Sequence, residues 1–173
     1  MALIKILQYP DPRLRKAGQW VETVDDTVRN VVKDMFETHY HAKNCAALAA
    51  TQLDFTNPLR ITVIDLSEQK NEPLCLINPE IFYREGEQIV PEGCMSVGGE
   101  VNERIYEYVK RAMKIKVRAV NLEGQSFELA AEGYLAQCIQ HEVDHLEGRL
   151  YIERLSALKR ERLVKKLLKN LKA

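Results

Sequence analysis

The sequence predicts an α+β fold, with mostly antiparallel strands packed around a central helix and a second helix at the C-terminus. Three observations predict it. Short apolar runs broken by Pro and Gly occupy residues 60–132. The apolar period changes to about 3.6 at Leu135, Ile139, Val143 and Leu146. A Leu stripe with lysines between then follows Ser156. Strands that cluster ahead of a helix, rather than alternating with helices, point to α+β rather than α/β.

Taken in order, Asp25 or Asp26 can cap a helix whose apolar positions Val28, Val31, Val32, Met35 and Phe36 recur at helical spacing to about His41. His39 and His41 cannot share a helical face and are expected at the surface or helix end. Strand-like runs follow at 60–66 (RITVIDL), 73–79 (PLCLINP) and 86–91. Pro58, Pro79 and Pro91 are expected as their boundaries. Residues 100–111 (EVNERIYEYVKR) suit a short helix or a strand. Residues 113–120 alternate (MKIKVRAV), 121–124 (NLEG) read as a turn and QSFELAA as the returning strand of a hairpin. Gly148 is the expected stop of the central helix, and Ser156 the cap of a helix striped by Leu163, Leu167 and Leu171.

A chain of 173 residues fits one domain. No apolar stretch approaches membrane-spanning length, and the start MALIKILQYPDP lacks a small-residue cleavage signature. A cytoplasmic protein with no membrane or DNA partner is expected. Four cysteines, at 45, 75, 94 and 138, form no CxxC pair and suit a reducing compartment. Net charge is zero, but residues 156–173 carry +6 and the first 155 carry −6, so the tail favours anionic company or serves solubility.

The chemistry lies in QHEVDHLEG, residues 140–148. On a helix, His141 and His145 are successive rungs of one face, so both imidazoles can reach one ion. Glu142, turned by about 100° from His141, can flank that ion and hold a water molecule without ligating. A hydrolytic site wants three protein ligands and an open position. Tyr151 stands where one familiar pattern has a third histidine, and Glu161 lies in the basic tail without the surroundings of such a ligand. Cys94, in PEGCMSVGG, follows a glycine beyond a Pro-bounded strand, where the backbone can present a thiolate. Cys45, Cys75 and Cys138 compete with it. Cys138 sits three residues before His141, and Cys75 reads as packing.

The pairing of Glu92-Gly93-Cys94-Met95-Ser96 with Gln140-His141-Glu142-Val143-Asp144-His145 resembles the second and third signature motifs of peptide deformylases. The similarity extends to LAATQ at 48–52, to PDPRLRK near the N-terminus and to the ERLSALKRERL region. The resemblance implies a deformylase-like metallohydrolase over residues 1–155, with residues 156–173 a basic amphipathic helix of the same domain. It implies metal ligation by Cys94, His141 and His145 of one divalent ion, iron(II) in family members, with zinc, nickel or cobalt able to occupy such a site. It implies hydrolysis of N-formylmethionyl peptides to formate and a free N-terminus, with Glu142 moving the proton from water to the departing amine. The Gln52 side chain and the Met95 backbone N–H would stabilise the developing oxyanion. It also implies a methionine pocket of Val90, Met95, Tyr134, Gln137 and Cys138, with Gly93 beside it, and docking of the basic tail on the ribosome.

Three features depart from the family pattern. Where GxGxAAxQ is usual, Cys45 and Ala47 replace both glycines; each side chain narrows the groove, and a positive φ at either would add about 1–2 kcal/mol of strain. The segment after EGCMS is longer than usual and offers Arg104 or Arg111 as a substrate-holding arginine, in open register. Tyr134 and Gln137 are bulky or polar for a methionine pocket, which shifts or relaxes the first-residue preference. Two other readings stay open at this point: a shifted N-acyl or peptide substrate range, and a non-catalytic relative that binds nascent chain or ribosome.

Overall fold

The computed structural model describes residues 2–98 and 104–171. Among these, the helices are α1 (Asp26–His41), α2 (Gly133–Leu146) and α3 (Ala157–Leu171). The strands are β1 (Ala47–Ala49), β2 (Ile61–Ile64), β3 (Leu74–Glu85), β4 (Gln88–Glu92), β5 (Glu107–Arg111), β6 (Lys114–Val120) and β7 (Ser126–Glu132). One sheet has the order β1-β2-β3-β6-β7 and the pair β4-β5 forms a separate ribbon. Every neighbouring pair is antiparallel, so the α+β expectation is met.

Local chemistry explains the elements. Asp25 caps α1 by accepting from the Val28 N–H at 2.9 Å. Along β6 the pattern is strict: Ile115, Val117 and Ala119 are buried while Lys114, Lys116 and Arg118 face out. The hairpin to β7 closes on Asn121, whose Oδ1 accepts from the N–H groups of Glu123 and Gln125. Gly148 ends α2 with φ +78°, and a Cβ there would collide with the Arg15 carbonyl. Ser156 caps α3, its Oγ accepting from the Lys159 N–H at 3.3 Å.

Packing centres on α2, which is buried from Ala136 to Leu146. Its residues Ala136, Ile139 and Val143 share a core with Ile64, Leu76, Ile115, Val117 and Ala119 of the large sheet. The inner residues of α1 (Val28, Val32, Met35) pack on Leu48, Ile61, Val63 and Ile77. Leu163 and Leu167 of α3 join Leu7, Leu14, Tyr151 and Cys94. The C-terminal helix thereby covers the cluster that contains the Cys94 loop.

Some expectations need correction. Pro79 lies inside β3, not at its end, because a register shift between Ile77 and Glu80 absorbs the missing N–H. Pro91 lies inside β4, in a two-stranded ribbon whose outer edges have no ladder to break. Residues 107–111 are strand, and the start of that ambiguous run, 100–103, lies outside the described residues. His39 is buried, not superficial: α1 ends against the chain that follows it, and the ring Nε2–H donates to the Ala46 carbonyl at 2.9 Å. Burial holds its pKa below that of an ordinary imidazole. His41 is exposed as expected. All four cysteines are free thiols. No helix among the described residues is long and apolar enough to cross a membrane.

Candidate active site

Two elements build the site: the tight loop after β4 and the buried face of α2. The loop turns at Cys94, whose carbonyl accepts from the Val97 N–H at 3.0 Å. Gly93 is held open by the Tyr106 ring, which a Cβ would approach to 2.6 Å. Ser96 N–H points at Cys94 Sγ at 3.4 Å. The N-terminal segment fastens the same loop, with Gln8 Nε2 donating to the Met95 carbonyl and Tyr9 N–H to the Ser96 carbonyl.

On α2, His141 and His145 bring their Nε2 atoms to 3.2 Å from each other, and Cys94 Sγ lies 3.2 Å from His145 Nε2. The three ligand atoms lie within 4.8 Å of one another and all three residues are buried. A tetrahedral ion bound at about 2.3 Å by sulfur and about 2.0–2.1 Å by nitrogen spaces its donors roughly 3.3–3.6 Å apart. The cluster is therefore drawn to the size of one metal ion. Beside it, Glu142 Oε2 is buried with no hydrogen-bond partner among the described residues, as is His145 Nδ1. One thiolate and two imidazoles suit a borderline divalent cation.

The surroundings orient the cluster. His141 Nδ1–H donates to Glu92 Oε1 at 2.8 Å, which turns Nε2 toward the other two donors. Burial opposes a charge on His141, yet the hydrogen bonds to Cys94 and Glu92 prevail and raise its pKa. Burial holds His145 the other way, well below an ordinary imidazole. Burial also pushes Glu142 up to about 7, against the pull of His141. Glu92 is opposed by burial too, but its hydrogen bonds from Arg111 and His141 win and hold it down at about 2.

Gln52 reaches the cluster from the other side. Its Oε1 accepts from the Ala49 N–H at 2.9 Å, while Nε2 donates to Ser96 Oγ at 3.1 Å and points at Cys94 Sγ at 3.5 Å. The carboxamide is thereby fixed with its N–H side toward the Cys94 sulfur. Thr51 donates to the His145 carbonyl at 2.8 Å, tying the same turn to α2.

A cavity of about 150 Å³ opens on this cluster. Of the residues expected to meet substrate, it is lined by Ala47, Gly93, Met95, Tyr134, Gln137 and Cys138, together with Cys94, His141, Glu142 and Gln52. Val90 and Cys45 are not among its lining residues. Val90 pairs with Val109 in the ribbon, and Cys45 points its Sγ to the Ala47 carbonyl and packs on the α1 core. Neither Cys45 nor Ala47 has a positive φ, so replacing the glycines brings bulk without backbone strain. Gln137 donates to the Pro91 carbonyl at 3.1 Å, which fixes this polar wall.

The two arginines also part company. Arg111 is buried, with Nε and Nη2 on the two Glu92 oxygens at 2.7 and 2.8 Å and Nη1 on Asp144 at 2.7 Å. Arg104 lines the cavity, donates to the Asn44 carbonyl at 2.8 Å and touches the Met95 sulfur. Asp144 is a buried salt-bridge partner rather than a solvated carboxylate, and Gln140 is buried with both amide atoms on the Ala112 backbone. Sequence reasoning gave no role to Glu92, Ser96, Tyr106 or Arg154. Only Glu92 and Ser96 carried a signal, as members of the EGCMS stretch.

Residues 3–161 match the model of the polypeptide deformylase family. The chain is 57% identical over 165 residues to a peptide deformylase 1 of Coxiella burnetii, covering 95% of each chain. It is 52% identical to a peptide deformylase of Azotobacter vinelandii, over 96% of this chain and 95% of that one. Among solved structures, a peptide deformylase from Legionella pneumophila superposes with a TM-score of 0.87 at 42% identity, covering 99% of this chain and 96% of that one. One from Ehrlichia chaffeensis, solved with actinonin, gives 0.86 at 34% identity over 98% of both chains. A match this extensive, with the Cys/His/His cluster and Glu142 in place, favours neither of the two other readings, and the chain belongs to the polypeptide deformylase family, the metal-dependent hydrolases that remove the formyl group from N-terminal formylmethionine.

Proposed function

We propose that Cys94, His141 and His145 of this deformylase hold one iron(II) ion and that Glu142 is the proton carrier of formyl hydrolysis. When bound, such an ion supplies Lewis acidity, polarising a carbonyl group and making a water molecule more acidic. The observation that carries the reading is the buried, unpartnered Oε2 of Glu142 beside three donor atoms spaced for one ion. A carboxyl group pushed up to about 7 can take a proton and give it back near neutral pH. Glu142 accepts a proton from water and hands it to the leaving amine, so that formate and a free N-terminus are the products.

Gln52 supplies the electrophilic side. Its Nε2–H directed only loosely at Cys94 Sγ is free to shift to a carbonyl oxygen that gains negative charge, while the Ala49 N–H holds the opposite end of the carboxamide still. The backbone N–H of Met95 is the second donor, carried on a loop that Gln8 and Tyr9 fasten. Preorganised donors of this kind contribute about 3–4 kcal/mol each to the transition state.

The first side chain of the substrate enters between Ala47, Gly93, Tyr134, Gln137 and Cys138, with Arg104 at the wall for the peptide backbone. The basic face of α3 docks on ribosomal RNA, and the activity resides in the cytoplasm, where formylated nascent chains are made. Anaerobic, iron-loaded protein assayed for the free N-terminal amine released from formyl-Met, formyl-Leu and acetyl-Met tripeptides tests the core of this reading. Amine release from formyl-Met is expected to be fastest; cleavage of acetyl-Met ahead of formyl-Met would overturn it.

A further inference from the structure

Arg154 stands at the end of an unbroken line of ion pairs that leads into the metal cluster. It occupies the 3-10 turn Tyr151–Arg154 that follows α2. Its Nε and Nη2 grip both oxygens of Asp144 at 3.0 and 2.7 Å. Asp144 Oδ2 also accepts from Arg111 Nη1, Arg111 spans both oxygens of Glu92, and Glu92 accepts from His141 Nδ1. The charges alternate along the whole line, and its three inner members are almost wholly buried: the side chains of Arg111, Glu92 and Asp144 are 2–6% exposed. Arg154 is 44% exposed, the only member of the four in substantial contact with solvent.

We infer that Arg154 is a positioning residue for the metal cluster: by gripping Asp144 it fixes Arg111 and Glu92, and through them the direction of the His141 ring. The inference rests on the reading of Cys94, His141 and His145 as metal ligands. The physical reason lies in the balance of the line. With Arg154 present, two carboxylates face two guanidiniums, and the two-pronged contacts of Arg154 on Asp144 and of Arg111 on Glu92 favour one arrangement. With Arg154 removed, Asp144 and Glu92 compete for one buried Arg111, and any turn of Arg111 toward Asp144 loosens Glu92 and frees the imidazole to rotate. Arg154 is not among the residues that line the cavity, so it acts on the cluster through Asp144, Arg111 and Glu92.

A bland role, in which Arg154 merely pins the turn, has a built-in control. Glu153 in the same turn pairs with Arg15 and belongs to no part of the line. The test uses full-length protein loaded with cobalt(II), and compares wild type, Arg154→Met and Glu153→Gln by visible ligand-field spectrum, by rate of cobalt release to a chelator and by urea midpoint. Partners one step outside a metal ligand typically change affinity by about 10–100-fold. Arg154, three steps further out, is expected near the lower end, with a shifted spectrum and release faster by about tenfold. Glu153→Gln is expected to lower the urea midpoint alone. A wild-type spectrum and release rate in Arg154→Met, or changes no different from those of Glu153→Gln, overturn the inference. Should Arg154→Met not fold, Arg154→Lys serves, since one contact replaces two; an unaltered spectrum and release rate there overturn it equally. Failure of the wild-type chain to take up one cobalt with a thiolate absorption band would instead overturn the metal reading itself.

Discussion

At the scale of the residue, the site depends on a few polar groups that burial has made expensive unless they act. Glu142 is 3% exposed, its charge opposed by the surroundings, and one oxygen has no partner among the described residues. A buried carboxyl group without partners destabilises a fold, so its retention marks a task. Glu142→Ala is expected to keep the fold and the metal and to lose at least about 99% of turnover, given that positioned proton transfer contributes roughly 10²–10⁴-fold. Formate release with metal analysis on the same sample checks it, and retention of a tenth of the rate would be incompatible with the role. Cys94→Ser replaces a soft donor by a hard, poorly ionised one. Elemental analysis after gel filtration should show weaker retention of metal; unchanged stoichiometry and affinity would remove Cys94 from the ligand set.

At the scale of the element, the structure depends on how helix and strand ends meet their neighbours. Gly148 combines a left-handed φ with a close approach of the Arg15 carbonyl to the place of a Cβ. Gly148→Ala is therefore expected to cost more than the about 1–2 kcal/mol of left-handed strain alone, read as a lowered urea midpoint with unchanged spectroscopic signature of the metal. The turn after β2 has its own pH dependence. Burial raises the pKa of Asp65, but hydrogen bonds from Ser67 and Tyr40 and from the backbone of Ser67 and Glu72 outweigh it and hold the carboxyl below its ordinary value. Folding thus favours the ionised form. Its contribution is complete above the unfolded pKa, about 3.9, and is lost as pH falls through the lower folded value. Protection of the Ser67 and Glu72 amides from exchange, relative to their intrinsic rates, should fall on acidification in that window, and Asp65→Asn should remove the dependence. Persistence of the dependence in the variant would assign it elsewhere.

At the scale of the whole molecule, α3 has two faces with separable duties. Leu163 and Leu167 are buried in the cluster that includes Cys94, whereas Lys165, Lys166 and Lys169 lie on the outer side. Leu163→Ala is expected to destabilise the protein by about 2–5 kcal/mol. Reversing the three lysines to glutamate should leave the urea midpoint nearly unchanged and abolish salt-sensitive co-sedimentation with ribosomes. Co-sedimentation that survives the reversal would deny the tail that partner.

The chain by itself determined the elements whose periodicity is local: the β6-β7 hairpin, the helical face of His141 and His145, the caps at Asp25 and Ser156 and the stop at Gly148. It also determined the family, because two short motifs and their flanking similarity are read directly from side-chain identity. Tertiary structure alone decided that Pro79 sits within a strand, that His39 is buried, that Asp144 and Arg111 form a buried ion pair and that Cys45 packs beside the cavity rather than lining it. The physical reason is the same in each case. Periodicity records which face of an element is apolar, whereas the partner of a polar group, and the bulge that accommodates a proline, depend on contacts outside the element, such as those of His39 with Ala46, 7 positions away, and of Arg111 with Asp144, 33 away, that no local pattern encodes.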